Sequence, residues 1–234
     1  SLYNVGFTAG IIGMVVLGFM NAFEIEVETK ALANTESPLI LYGVLIGLCM
    51  MLLATSIYLH VKKKEKYQFK LLLKLSGRLP SDFVEMTNLA TVTFNMSIMG
   101  LILLGYVLLN GGQLNGPIVG SIIGAMSFGA FGNQVKNTVP VLVGIMIGCY
   151  LTGVDAASTS ALVAAIFGTT LAPVSGYYGA FAGMIAGFVH ITLVSHVVVM
   201  HGGLNLYNNG FAGGFVAAVL VPIFEIFEGI RQEM

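Results

Sequence analysis

LYNNGFAGG, residues 206–214, sets a tyrosine, two asparagines and three glycines into a chain that is otherwise mostly apolar. The chain opens on a near copy of it. Leu2-Tyr3-Asn4-Val5-Gly6-Phe7 matches Leu206-Tyr207-Asn208-Asn209-Gly210-Phe211, and Thr8-Ala9-Gly10 then answers Ala212-Gly213-Gly214. The likeness returns where Phe23-Glu24-Ile25 meets Phe224-Glu225-Ile226, after a shortening of three residues. Chance can produce the hexamer alone; a second anchor at matching separation points to duplication. Two copies of one helix, marked at both ends and about 200 residues apart, are expected of repeat-built transporters.

The solvent for such helices is lipid. Of the 234 residues, 56% are hydrophobic and 9% charged, with a mean hydropathy of +0.90. A soluble domain carries about 25% charged residues, and a water-facing exterior cannot be built from so few. The 30 glycines agree: a soluble helix loses ~1 kcal/mol for each relative to alanine, whereas membrane helices use them to approach closely. A net charge of −1 gives no reason to expect a nucleic-acid partner. Cys49 and Cys149 sit in apolar stretches and read as small buried hydrophobes. Because the chain starts at Ser1 with a membrane helix almost at once, it reads as a fragment or a processed chain.

Apolar runs long enough to cross, or nearly cross, a bilayer occupy 5–23, 38–60, 90–109, 117–131, 139–154, 157–173, 176–200 and 210–227. Pro38, Pro117 and Pro140 are expected at the first turns of three of them. Seven of the ten lysines and arginines lie between Lys62 and Arg78, which places that loop in the cytoplasm. Lys62, Lys66, Lys70 and Lys74 recur every four residues, so KKKEKYQFKLLLKL is expected as an amphipathic anchor helix on the inner leaflet, within a segment 62–88. If 157–173 crosses fully, Arg231 returns to the cytoplasm and the two copies of the repeat run oppositely. If it is a re-entrant hairpin, they run parallel. The positive-inside rule favours the first.

Candidate chemistry is sparse. Gly168–Gly176 joins two apolar segments with glycine, threonine, proline and serine, the composition of a broken helix lining a cavity or of a plain surface turn. Thr169, Thr170 and Ser175 are its polar side chains. His190 lies three residues beyond the glycine series Gly179/Gly183/Gly187, and an ionisable residue within a span is a functional candidate. His196 and His201 share no helix face with it, so no zinc site is expected, and His201 is placed at the membrane interface. Asn4 and Asn208 cap helix starts, and with Tyr207 they can also hydrogen-bond a polar solute. Asn95 and Ser97 are expected to bond neighbouring helices. Glycines four apart (Gly43/Gly47, Gly116/Gly120/Gly124, Gly144/Gly148) predict close packing. No Walker lysine, GxSxG, HExxH or paired intramembrane carboxylate is present, so neither an enzyme nor a cofactor is expected.

SGRLPSDF (76–83), FGNQVKNTVPVLVGIMIG (131–148), TTLAPVSGYYGAFAGMIAGFVH (169–190) and HGGLNLYNNGFAGGFVAAVLVP (201–222) resemble a bacterial family of multi-pass membrane proteins described only as a domain of unknown function. That resemblance implies a longer parent and no known activity. More distantly, Tyr3-Asn4 and Tyr207-Asn208, each opening a small-residue helix, resemble the urea transporters, whose inverted halves imply a central slot for a small neutral amide. Leu171-Ala172-Pro173-Val174-Ser175 is loosely similar to their Leu-Pro-x-x-Thr signature.

The expected fold is an all-α integral membrane bundle of about eight transmembrane segments, one pair broken or re-entrant, with inverted-repeat architecture. Residues 1–36 would close a first repeat and 37–234 form the second. The expected function is a channel or facilitative transporter for a small polar, uncharged solute in the bacterial inner membrane. The alternative is a non-transporting scaffold or subunit. The bilayer, a small-molecule solute, and either further copies or a preceding N-terminal portion are the expected partners.

Overall fold

The computed structural model describes residues 4–25, 38–202 and 208–233. These form helices α1 (Asn4–Ala22), α2 (Pro38–Lys62), α3 (Phe69–Leu72), α4 (Phe83–Met86), α5 (Leu89–Leu109), α6 (Gly116–Ser127), α7 (Val135–Thr152), α8 (Thr159–Gly168), α9 (Ala172–Tyr178), α10 (Ala180–Met200) and α11 (Asn208–Glu233). No strand occurs among the described residues. Short polar side chains start the helices. Asn88 accepts from the Thr91 N–H, Asn115 from Ile118 and Ser158 from Ala161, each cap contributing ~1 kcal/mol.

Seven helices are long and apolar enough to cross a membrane, and Gly116–Ala130 is a shorter apolar helix. The chain is a multi-pass membrane protein. Its apolar outer faces, such as Ile40, Phe181 and Val199, are exposed, which in lipid costs nothing.

The break expected at 168–176 is displaced. α8 runs through a 3-10 turn, Thr169–Leu171, directly into α9, so Thr159–Tyr178 is one apolar helical run. Thr169 Oγ1 donates to the Ile166 carbonyl at 2.6 Å, and Pro173 falls in the first turn of α9, where a missing N–H is tolerated. The true corner is Gly179, at φ 95°, a conformation open to glycine. The corner between the two apolar helical runs therefore lies at Gly179, between Thr159–Tyr178 and α10. Pro140 also falls elsewhere than expected, inside α7 and not at its start, because Gln134 and Asn137 close a capping box five residues earlier than the predicted 139.

The basic segment is not an amphipathic leaflet helix. α2 ends at Lys62, Lys64 takes φ 58°, and only the four residues of α3 are helical. The chain folds back onto the start of α5 instead. Glu65 Oε2 accepts from the Ala90 N–H at 2.9 Å, Asn88 Nδ2 donates to the Lys66 carbonyl at 2.7 Å, and the Gln68 N–H donates to Thr91 Oγ1 at 2.9 Å. A carboxylate at a helix N-terminus is also favoured by the helix dipole. Leu72, Phe83 and Val92 form a small core beneath it.

The centre of the bundle is a seam between α7 and α10. A Cβ on Gly144 would meet the Met184 backbone, and one on Gly187 the Val141 backbone. Glycine at both positions lets the helices touch main chain to main chain. By contrast, Gly43, Gly47, Gly116 and Gly120 face open space, so those two grooves are unfilled.

α1 packs against α11 in a reciprocal manner. Phe7 fills the hollow at Gly214, and Phe211 fills the hollow at Gly10. The two rings lie 6.0 Å apart. Leu17, farther along α1, packs at Gly202, which precedes α11. Contacts that move backward along one helix as they move forward along the other define an antiparallel pair. His201, at the end of α10, is buried in the protein with its ring 5.7 Å from that of Phe211.

The far end of α11 reaches the basic segment. Arg78 lies 3.8 Å from Glu225, and the Tyr178 hydroxyl donates to the same carboxylate at 3.2 Å. At the opposite end, Asn208 lies beside Val154 and Ser160. α11 therefore runs from the end bearing Ser158 to the basic end.

Candidate functional site

Buried polar residues line up along the junction of α8–α9 with α7, α10 and α11. They start at a cleft of about 310 Å³ at the end opposite the basic segment, lined by Ser160, Ala164, Ser195, Asn208 and Asn209. Next along the line is His190, fully buried, with Nε2 3.2 Å from the Ala164 carbonyl. A Cβ on Gly168 would lie 2.9 Å from His190 Cδ2, so the glycine makes room for the imidazole.

Thr169 follows Gly168. Its hydroxyl accepts from Asn133 Nδ2 at 3.1 Å while donating to Ile166. The Asn133 carbonyl in turn accepts from Asn95 Nδ2 at 2.8 Å, and Asn95 also donates to the Gly129 carbonyl at 2.8 Å. One residue on, Gln134 and then Asn137 border a second cleft of about 200 Å³ at the basic end, which Ser175, Lys74 and Lys136 also line. Gln134 Nε2 donates to the Leu73 and Leu75 carbonyls, each at 3.3 Å, and Asn137 Nδ2 to those of Ser76 and Gly132 at 3.1 and 2.8 Å. These bonds hold the basic segment over the helix ends.

Several buried atoms on this line have no hydrogen-bond partner. They are Asn95 Oδ1, Asn133 Oδ1, Thr170 Oγ1, Ser175 Oγ and Asn208 Oδ1, while the His190 imidazole meets the Asn209 side chain. The amide orientations of Asn95 and Asn133 follow from the bonds their nitrogens make. Stranding a buried polar atom costs about 1–3 kcal/mol, and five such atoms lie along this junction. Three are amide oxygens and two are hydroxyls. Such a line suits small guests that donate N–H or O–H.

Of the residues singled out in the sequence, Thr169 and His190 meet through Gly168, and Asn208 opens the cleft that begins the line. Thr170 is fully buried among them. Ser175 stands apart, at the basic cleft. Tyr207 and the side chain of Asn4 lie outside the described residues. Asn133, Gln134 and Asn137 were not singled out, although three amides within five positions of an apolar chain were a visible signal. Asn95 and Ser97 bond other helices as expected, Ser97 donating to the Cys49 carbonyl at 2.9 Å. Cys49 and Cys149 are free and buried. Among the described residues no group of three metal-ligating side chains gathers.

The family model described as "Protein of unknown function (DUF1576)" matches residues 61–226, and the chain belongs to that family. No curated protein and no solved structure matches it.

Proposed function

We propose that this member of the DUF1576 family is a channel or facilitative transporter for a small, uncharged polar solute. The observation that carries the reading is the line of unpartnered buried acceptors and hydroxyls between the two clefts. A dehydrating solute must exchange its water hydrogen bonds for others, and Asn208, Thr170, Asn133 and Ser175 offer them in sequence, with the His190–Asn209 pair beside them. No carboxylate lies among these atoms, so the line offers no fixed negative charge to a cation. The excess of acceptors favours a solute rich in N–H donors, of the neutral amide class.

The reading takes α1 and α11 as the two copies of a duplicated helix in an inverted repeat. Their reciprocal Phe7–Gly214 and Phe211–Gly10 packing is what a two-fold axis produces, since each copy offers the other the same residues. The basic end faces the cytoplasm by the positive-inside rule, in the bacterial inner membrane.

A second reading, a non-transporting scaffold, draws support from Gln134, Asn137 and Asn95, whose amides bond backbone carbonyls as cement. Solute flux separates the two. Proteoliposomes of the protein are expected to swell in gradients of particular neutral solutes. Thr170→Val and His190→Leu are expected to reduce that flux while the protein stays folded. No flux across a broad panel of solutes would favour the scaffold.

A further inference from the structure

Residues 73–82 of the basic segment form a loop whose ends are pinned together. Leu72 before it and Phe83 after it share one buried cluster with Val92. The loop is laid across the helix ends at the basic end of the polar line. Its backbone supplies the acceptors, since the Leu73, Leu75 and Ser76 carbonyls take the amide N–H bonds of Gln134 and Asn137. Ser81 Oγ donates to the Phe131 carbonyl. The seat fits main chain alone. A Cβ on Gly176 would run into the Ser76 carbonyl, and one on Gly77 into that of Gly132. Gly77 also stands at φ 78°, a conformation open to glycine.

Gln134 and Asn137 are each only 1% exposed, although both sit at the start of α7, so the loop is what hides them. A segment serving only as packing would close down on what lies beneath it. This one leaves a cleft of about 200 Å³, with Leu73, Lys74 and Leu75 on one side and Gln134, Asn137 and Gly176 on the other. Asn133, next to Gln134, donates to Thr169 of the polar line at 3.1 Å.

The edge of the loop is tied down by a weak contact. Arg78 lies 3.8 Å from the Glu225 carboxylate and sets its guanidinium over the Tyr177 ring, 4.7 Å from the centroid. The Tyr178 hydroxyl donates to the same carboxylate at 3.2 Å. Arg78 and Glu225 are each 53% exposed, and pairs so well solvated contribute little to the stability of a fold. Such a contact still suffices to bias a loop between two positions. Glu225 belongs to α11, the helix whose other end carries Asn208 and Asn209 of the far cleft.

We infer that loop 73–82 is a gate over the basic end of the polar line, latched shut by Arg78 on Glu225 and Tyr177. The inference rests on the reading of that line as a solute route. Release of the latch lets the loop swing about the Leu72–Phe83 core and uncovers the Gln134 and Asn137 amides and the line behind them.

Thiol labelling reads the gate without reading transport. Thr170→Cys places a thiol on the line, where the native hydroxyl has no partner, and its reaction with a small water-soluble maleimide is timed in detergent micelles. Cys49 and Cys149 are buried and set the background. Added to Thr170→Cys, Glu225→Gln is expected to raise the labelling rate about two- to fivefold, the range that one exposed pair can hold. Arg78→Gln is expected to raise it further, because the Tyr177 contact goes as well. Arg78→Lys, which keeps the charge, is expected to stay near the rate of Thr170→Cys alone. Both latch residues are half-exposed, so unfolding midpoints are expected to hold, which separates gate opening from loss of fold. Urea flux through proteoliposomes of the same latch variants, with Thr170 in place, is expected to rise in the same order. Faster labelling with no flux in any variant would keep the loop as a gate and overturn the transport reading. An unchanged labelling rate in both Glu225→Gln and Arg78→Gln overturns the inference, whatever the flux.

Discussion

Thr169 and Thr170 are adjacent, both fully buried, and differ in what their hydroxyls do. Thr169 Oγ1 accepts from Asn133 Nδ2 at 3.1 Å and donates to the Ile166 carbonyl at 2.6 Å. Thr170 Oγ1 has no partner. Valine replaces either with nearly the same volume. In Thr169→Val the Ile166 carbonyl keeps its backbone partner, the Thr169 N–H. The loss therefore falls on Asn133, whose amide nitrogen is stranded in the interior. A stranded buried donor costs about 1–3 kcal/mol, so a destabilisation of about 2 kcal/mol is expected. In Thr170→Val an unpartnered hydroxyl is replaced by a methyl, and the change is expected to be near zero or slightly stabilising. The assay is equilibrium unfolding of both variants in mixed micelles of mild detergent and dodecyl sulfate, followed by the loss of helical circular dichroism. Equal destabilisation by the two substitutions would refute the reasoning, since it would give the Thr170 hydroxyl a structural bond. If Thr170 serves a solute, its valine variant loses flux without losing stability, the opposite of what a packing residue does.

Other positions give sharper contrasts of packing. Gly187→Ala is expected to cost about 1–3 kcal/mol, because its Cβ would press on the Val141 backbone, whereas Gly43→Ala, facing open space, is expected to be close to neutral; the same unfolding titration compares them. A double-mutant cycle on Phe7→Ala and Phe211→Ala is expected to give a coupling of about 0.5–1.5 kcal/mol, the usual range for an aromatic pair. Zero coupling would mean that α1 and α11 do not pack as described. Cys49 and Cys149 are buried and are expected to resist a membrane-impermeant maleimide until dodecyl sulfate unfolds the chain, as read by mass spectrometry.

The helical, membrane-borne character of the chain was legible because it depends on composition and run length, which lipid converts almost directly into helices. Caps such as Asn88, Asn115 and Ser158 follow local rules too, although they were not singled out in the sequence. Two readings failed where tertiary bonds overrode a local pattern. The lysine period of four in 62–74 promised a helix, but Asn88 and Thr91 at the start of α5 offered that backbone better partners, and Glu65 bonds the Ala90 N–H there. Gly168–Gly176 looked like a break, but the Thr169 hydroxyl and a proline in a first turn let the helix continue. At the candidate site, His190 and Thr169 stood out as polar residues in apolar runs. Asn133 did not, because its role depends on meeting Asn95 and Thr169 from distant parts of the chain, and no spacing in the sequence encodes that meeting.

The most direct test of the central claim compares urea with guanidinium, two solutes of nearly equal size and shape that differ by one charge. Light scattering of proteoliposomes after a sudden gradient measures the entry of each. The account predicts that the protein speeds urea entry above that of empty vesicles and leaves guanidinium unaffected. Equal rates with and without protein for urea and other small neutral amides, or guanidinium entering as fast as urea, would contradict it.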